Sequence, residues 1–255
     1  MSSRPALLAA TAGATTVLAL ATAGTAAADR RGFTHTYEYT TMSEGQTEVE
    51  IYTTQSRATF DGATSPQAFE LQLEIEHGIT DRWDISLYHV FTQATDGAGG
   101  STAFGLHELK LESRYRFAER GELPVDFLLY GEVAKEFGAG VYEAEAKAIL
   151  ARDFGRATAA VNLIGEVEFG NDVDEPEVEL GWAAGLTYEV SPRWKIGAET
   201  WGGFEAEEPE ELGASAGPSV SWAPDSRLWL AATAGFGLTD EADAFSARAI
   251  IGLIL

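Results

Sequence analysis

The feature that most constrains this chain is a period-two alternation of apolar and charged residues, repeated from about residue 46 to the C-terminus. In "FELQLEIE", residues 69–76, Phe69, Leu71, Leu73 and Ile75 share one face. Glu70, Gln72, Glu74 and Glu76 share the other. Successive side chains of a strand point to opposite sides, so each such run is a ribbon with one apolar and one charged face. "ELKLESRYRF", residues 108–117, repeats the pattern, with Leu109, Leu111, Tyr115 and Phe117 opposite Glu108, Lys110, Glu112, Arg114 and Arg116. Residues 141–152, 157–169 and 177–190 follow it too. After residue 28 no apolar run is long enough for a membrane-spanning helix. The chain is therefore expected to be all-β.

A soluble sandwich also alternates, with one face in its core and one in water. Three features favour a single antiparallel transmembrane β-barrel. The runs are long and evenly spaced, as a tilted strand crossing a bilayer requires. The apolar face is rich in Ala, Leu and Val, which suits contact with lipid tails. Aromatic residues sit at the ends of the runs, as two interfacial girdles require. Phe117, Tyr188, Trp83, Trp194 and Trp222 lie at one end, and Phe69, Phe91, Phe137, Phe169 and Phe236 at the other.

The corner "EHGITDRWDISLY" (76–88) returns as "TYEVSPRWKIGAE" (187–199) and, more loosely, as "SVSWAPDSRLWLA" (219–231). It reads as a short hairpin turn built from Asp, Pro and Ser, with a girdle Trp beside it. Short turns are expected near 79–82, 118–123, 153–156, 190–193 and 223–226, and longer loops near 55–67, 94–104, 170–176, 204–213 and 239–243, with a tight exception at 138–140. The two sets alternate. That places about twelve strands between them, an even number with both ends on the periplasmic side. A count of about fourteen is the alternative.

Three regions follow. Residues 1–28 read as a secretory signal peptide: Arg4, then an apolar Ala/Thr-rich stretch, then Ala26-Ala27-Ala28 as a small-residue cleavage site. Residues 29–45 are expected to form an N-terminal periplasmic or lumen-inserted segment. Its "GFTHTYEYTT" alternates, but counting it as a spanning strand would make the number odd. Residues 46–255 form the barrel.

The inward face should carry the function. Its candidates are Glu70, Glu74, Glu108, Lys110, Glu112, Arg114, Glu132, Glu143, Glu145, Lys147, Glu166, Glu179, Glu199 and Arg248. Carboxylates dominate, as they do in the whole chain, where acidic residues outnumber basic ones 40 to 17. A ring of carboxylates lowers the energy of a cation in a pore and raises that of an anion. The leading expectation is a narrow cation-preferring channel or porin-like transporter for small solutes. The alternatives are a structural barrel plugged by its own charges and an outer-membrane enzyme acting on lipid or lipopolysaccharide. For the enzyme the only material is His89, in the lipid-facing phase, with Ser113 diagonal to it on the next strand. His35, His77 and His107 read as ordinary polar residues near turns or ends.

Acidity disfavours nucleic acid as a partner, because phosphates need Lys and Arg. The absence of cysteine excludes disulfides and thiolate metal sites. No metal or cofactor fingerprint appears. The acidic loops 170–179, 205–213 and 238–244 read as solvated, with divalent-cation binding as the alternative.

The unit "HGITDRWDISLY", followed by "FGLHELKLESRYRF" and a final Ala/Gly-rich apolar strand, resembles the uncharacterised porin-like or transporter-type outer-membrane barrels of Gram-negative bacteria. The resemblance covers most of residues 33–255. It implies the cell outer membrane as location, outer-membrane lipid and lipopolysaccharide as surroundings, and the outer-membrane assembly machinery as a partner. Such barrels usually end in an aromatic residue, whereas this chain ends "ARAIIGLIL".

Overall fold

The computed structural model describes residues 30–60 and 65–255. The expected signal peptide lies outside the described residues. Twelve antiparallel strands follow one another: β1 Thr47–Arg57, β2 Gln67–Thr80, β3 Trp83–Thr95, β4 Gly105–Arg116, β5 Asp126–Glu136, β6 Val141–Phe154, β7 Ala157–Gly170, β8 Glu177–Ser191, β9 Trp194–Glu205, β10 Gly213–Trp222, β11 Leu228–Gly237 and β12 Phe245–Ile254. Each pairs with its neighbours in sequence, and β12 returns to β1, so the sheet closes with no free edge. Closure removes the unpaired strand edges that a membrane interior cannot solvate.

The alternation decides which face is inside. On β3, Asp84, Ser86, Tyr88 and Val90 are buried, while Trp83, Ile85 and Leu87 are exposed. On the outer wall Leu111 is 52% exposed, Leu163 55% and Ile196 51%. Leaving such a side chain in water forgoes about 1.5–3 kcal/mol relative to burial. A soluble sheet would turn these residues inward. Here they form a belt for lipid, and the charged face is the buried one.

The aromatics close that belt at both ends. Phe117 stacks on Phe127 (5.4 Å between centroids) and Trp194 lies 5.9 Å from Trp222, at the end of the tight turns. Tyr142 stacks on Phe169 (6.0 Å) and Phe236 meets Phe245 edge-on (5.5 Å), at the opposite end. Phe104, in the β3–β4 loop, extends the second band by stacking on Phe91 at 5.7 Å. Trp83 donates to Ser113 Oγ at 2.8 Å, so its indole nitrogen is satisfied on the outer surface.

Tight turns join β2 to β3 at 81–82, β6 to β7 at 155–156 and β8 to β9 at 192–193. Gly155 (φ 68°) supplies the left-handed backbone that such a two-residue turn needs. One expected short turn is different. The β4–β5 connection runs over 117–125 and folds under the lumen, where Tyr39 donates its hydroxyl to the Ala118 carbonyl at 2.7 Å.

Residues 30–46 add no strand. Their alternation serves contacts inside the barrel. At the exit, Gly45 N donates to Gly78 O at 2.9 Å and Gly78 N to Gln46 O at 3.0 Å. A Cβ on Gly78 would stand 2.0 Å from the Ser43 carbonyl oxygen, so only glycine allows the segment to cross there.

Candidate pore lumen

The N-terminal segment enters at the short-turn end, rises to mid-lumen and returns. Arg30 is held at the rim by Ser221 Oγ (3.1 Å) and the Pro192 carbonyl (3.0 Å). Phe33 is fully buried, packed where Gly185 leaves room: a Cβ on Gly185 would lie 2.3 Å from its ring. Tyr37 N donates to Asn162 Oδ1 at 2.6 Å, and Asn162 Nδ2 donates back to Tyr37 O at 3.0 Å. Met42 N donates to Asp84 Oδ2 at 2.8 Å, near the way out. Phe33 and Tyr39 then join Leu128, Tyr130, Ile149, Ala151 and Ala160 in an apolar cluster inside the barrel.

The tip of the segment is fixed by one carboxylate. Glu199, on β9, is 3% exposed. It accepts from Thr34 N (2.9 Å), Thr34 Oγ1 (3.1 Å), His35 N (2.9 Å), Thr36 N (3.0 Å) and Thr36 Oγ1 (3.2 Å). Thr233 Oγ1 donates to it as well. Three successive backbone N–H groups make a concave anion site, and a buried carboxylate needs that many donors. His35, expected to be an ordinary polar residue near a chain end, instead stacks on Trp201 at 3.7 Å inside the lumen. The contact was illegible in sequence because it joins residues 166 positions apart on two elements whose register is set by closure.

Around and below the tip the inward side chains are paired. Arg114 bonds Asp84 through two nitrogens (2.8 and 3.1 Å), reaches Glu112 at 3.1 Å and bonds Glu76; all four residues are buried. Tyr52 shares its hydroxyl between Glu50 (2.6 Å) and Glu74 (2.7 Å). Tyr88 donates to Glu112 at 2.6 Å, and Trp229 donates to Glu48 at 2.5 Å. Lys110 lies between Glu108 (3.3 Å) and Glu132 (3.2 Å). Lys147 is 2.7 Å from Glu145, with the rings of Tyr130 and Tyr37 at 4.1 and 4.7 Å.

The strand register lines up the carboxylates. Glu48 on β1 faces Glu76 on β2, and Glu76 faces Ser86 on β3. Ser86 faces Glu112, and the row continues through Glu132, Glu145, Glu166 and Glu179 to Glu205 on β9. Eight glutamates and one serine thus form one unbroken ladder across nine adjacent strands. The strands are tilted, so a row of opposed residues climbs as it goes round. This one starts near the short-turn end of β1 and finishes at the long-loop end of β9. Along it Glu48, Glu76 and Glu112 are sealed, Glu145 and Glu166 are half-buried, and Glu179 and Glu205 are exposed. Like charges directly opposite each other destabilise a sheet. The lower members are compensated by Arg114, Lys110, Trp229 and tyrosines. Glu166, Glu179 and Glu205 carry no ion pair among the described residues.

The fourteen expected lumen residues all fall in the inward phase of their strands. They divide into three sets. Glu74, Glu112, Arg114 and Glu199 are locked in bonds at or below the segment's tip. Glu70, Glu143, Glu145, Glu166, Glu179 and Arg248 face the wider half, with Arg248 3.6 Å from Glu70. Glu108, Lys110, Glu132 and Lys147 stand at the boundary. Sequence reading missed Trp229, Trp201 and the small inward residues Ala160, Ala183, Gly185 and Gly197, which make space for the segment. Their signal was present: the inward face of β8 changes from Glu177 and Glu179 to Gly181, Ala183 and Gly185 partway along. His89 pairs with Leu109 while Ser113 pairs with Ile85, so the two are apart on the outer wall and form no dyad.

Besides a cavity of about 310 Å³ between His35, Trp201, Ser215 and Ser246, two cavities border the segment. One of about 420 Å³ opens at the short-turn end between Arg30, Glu38, Arg116, Arg120, Glu189 and Lys195. The other, about 250 Å³, lies over the tip between Arg31, His35, Tyr37, Lys110, Glu145 and Arg248.

A closed barrel with an apolar outer belt, two aromatic girdles and a charged lumen is the architecture of a transmembrane β-barrel. Solved structures agree at the level of fold. The chain superposes on the NanC porin with a TM-score of 0.56 at 10% identity, covering 81% of this chain and 100% of that one. The KdgM porin gives 0.53 at 9% identity, covering 81% and 97%. The translocator domain of the autotransporter NalP from Neisseria meningitidis gives 0.53 at 11% identity, covering 83% and 89%. No protein-family model and no curated protein sequence matches the chain.

Proposed function

We propose that this chain is a porin-like passage for small solutes across the outer membrane, with a preference for cations. The carboxylate ladder carries the reading. Its members alternate with neither Lys nor Arg along the row, and Glu166, Glu179 and Glu205 carry no ion pair among the described residues. A cation entering from the long-loop end meets Glu205, Glu179, Glu166 and Glu145 in succession. An anion meets the same row as a barrier, because a low-dielectric wall focuses the field of its charges into the lumen. The N-terminal segment narrows the passage, so the solutes are small.

The test is the reversal potential of the refolded protein in a planar bilayer under a KCl gradient. The native chain is expected to be cation-selective. Neutralising Glu145, Glu166 and Glu179 together to Gln should move the reversal potential towards zero while conductance persists. Selectivity for chloride in the native chain, or no change in the triple variant, would refute the preference.

A further inference from the structure

We infer that Glu199 is the positioning residue that holds residues 34–36 across the lumen, and that this tip sets the size of the passage. The inference rests on the reading of the lumen as a passage. The geometry is that of a latch. The bonds of Glu199 to the tip gather on one carboxylate, and all come from three consecutive residues. Elsewhere the segment is held at its two ends and, past the tip, by Tyr37 on Asn162 and Glu112 and by Tyr39 on Ala118. Arg30 is fixed at the rim, and Thr41, Met42 and Glu44 bond Asp81 and Asp84 near the exit. Between these anchors the tip lies against β9, and Tyr37, just after it, bonds Asn162 on β7, two strands along the same wall. The anchors keep the segment attached when the tip is free, and Thr34 and His35 of the tip line the cavity of about 250 Å³.

The chemistry also says why the residue is a carboxylate. Glu199 has no cation within ion-pairing distance among the described residues, and its charge is met by N–H and O–H donors alone. Alanine would remove every acceptor at once and leave three backbone N–H groups unpaired beside a lumen that can admit water. Hydration of those groups favours the tip leaving the wall. Aspartate keeps the charge and both oxygens on a shorter stem, so it should restore part of the hold.

The experiment compares native, Glu199→Ala and Glu199→Asp chains, refolded and matched for strand content by circular dichroism. Two readouts are taken: single-channel conductance, and the rate of chymotrypsin cleavage after Phe33, Tyr37 or Tyr39. Glu199→Ala is expected to raise conductance several-fold and to speed cleavage at least tenfold, with Glu199→Asp between it and the native chain. A second variant keeps the test independent of fold damage. The chain has no cysteine, and a Cβ at residue 32 would lie 3.0 Å from Thr187 Cγ2. Gly32→Cys with Thr187→Cys, added to Glu199→Ala, should return conductance to the native level when oxidised and release it when reduced. Native conductance and native cleavage in a folded Glu199→Ala barrel would overturn the inference. Faster cleavage in a barrel that stays silent would uphold the latch and refute the passage. Increased conductance without cation preference would uphold the latch and refute only the selectivity.

Discussion

The inward faces of β7 and β8 change character halfway along. Towards the long loops they carry Glu166, Glu168, Glu177 and Glu179; towards the short turns they carry Ala160, Asn162, Ala183 and Gly185. The first half repels itself and faces open lumen. The second has room for another piece of chain, and residues 30–46 fill it. The ladder shows the same contrast along its length: the sealed Glu48 and Glu112 have donors, and Glu166 and Glu179 stand opposite other carboxylates. One barrel wall therefore supports two kinds of interior. The lower one is a core in the ordinary sense, packed and hydrogen-bonded. The upper one trades local stability for a field.

The sharpest way to break this contrast is Arg114. It is the guanidinium shared by Glu76, Asp84 and Glu112, all buried. Removing one partner from a buried charge cluster costs on the order of 3–5 kcal/mol. Arg114→Met should lower stability by about that amount in urea unfolding followed by Trp fluorescence, or prevent refolding. An unchanged midpoint would show that the lower half is wetter than its packing indicates. Next is Trp229→Phe, which keeps the ring but leaves Glu48 without its indole donor. An unmade buried bond of this kind costs about 1–3 kcal/mol, read in the same titration.

The upper half should respond with the opposite sign. Glu166→Gln or Glu179→Gln relieves opposed like charges, so stability should rise by about 0.2–1 kcal/mol per pair. Equal losses in both halves would erase the distinction drawn here. The smallest effect is expected at the rim. In the β10–β11 turn, Asp225 accepts from Arg227 N at 2.8 Å and Leu228 N at 3.0 Å, which holds its carboxyl below the usual range. A depressed carboxylate stabilises the fold above its unfolded-state pKa, and that contribution is lost as pH falls through the folded-state value. Asp225→Asn should therefore flatten the acid limb of the stability profile slightly and leave the neutral plateau nearly unchanged.

Much of this was legible residue by residue. "FELQLEIE" announces a strand with one lipid face, and Arg82-Trp83 and Arg193-Trp194 announce turns beside a girdle. All fourteen lumen candidates follow from phase alone, because phase is local. The β4–β5 turn expected at 118–123 falls within the connection 117–125, but nothing in those residues says that Tyr39 will meet Ala118. Glu199 reads in sequence as one more inward glutamate among many. Its role depends on Thr34, His35 and Thr36, more than 160 residues away.

The sequence by itself determined which residues face outward, how many strands there are and how acidic the interior is. These depend on a two-residue period and on side-chain polarity, both readable within a single strand. Only the tertiary structure decided which glutamates stand opposite one another and what fills the short-turn half. Register across nine strands and the docking of the N-terminal segment are set by barrel closure, a constraint on the whole chain that no window of sequence contains.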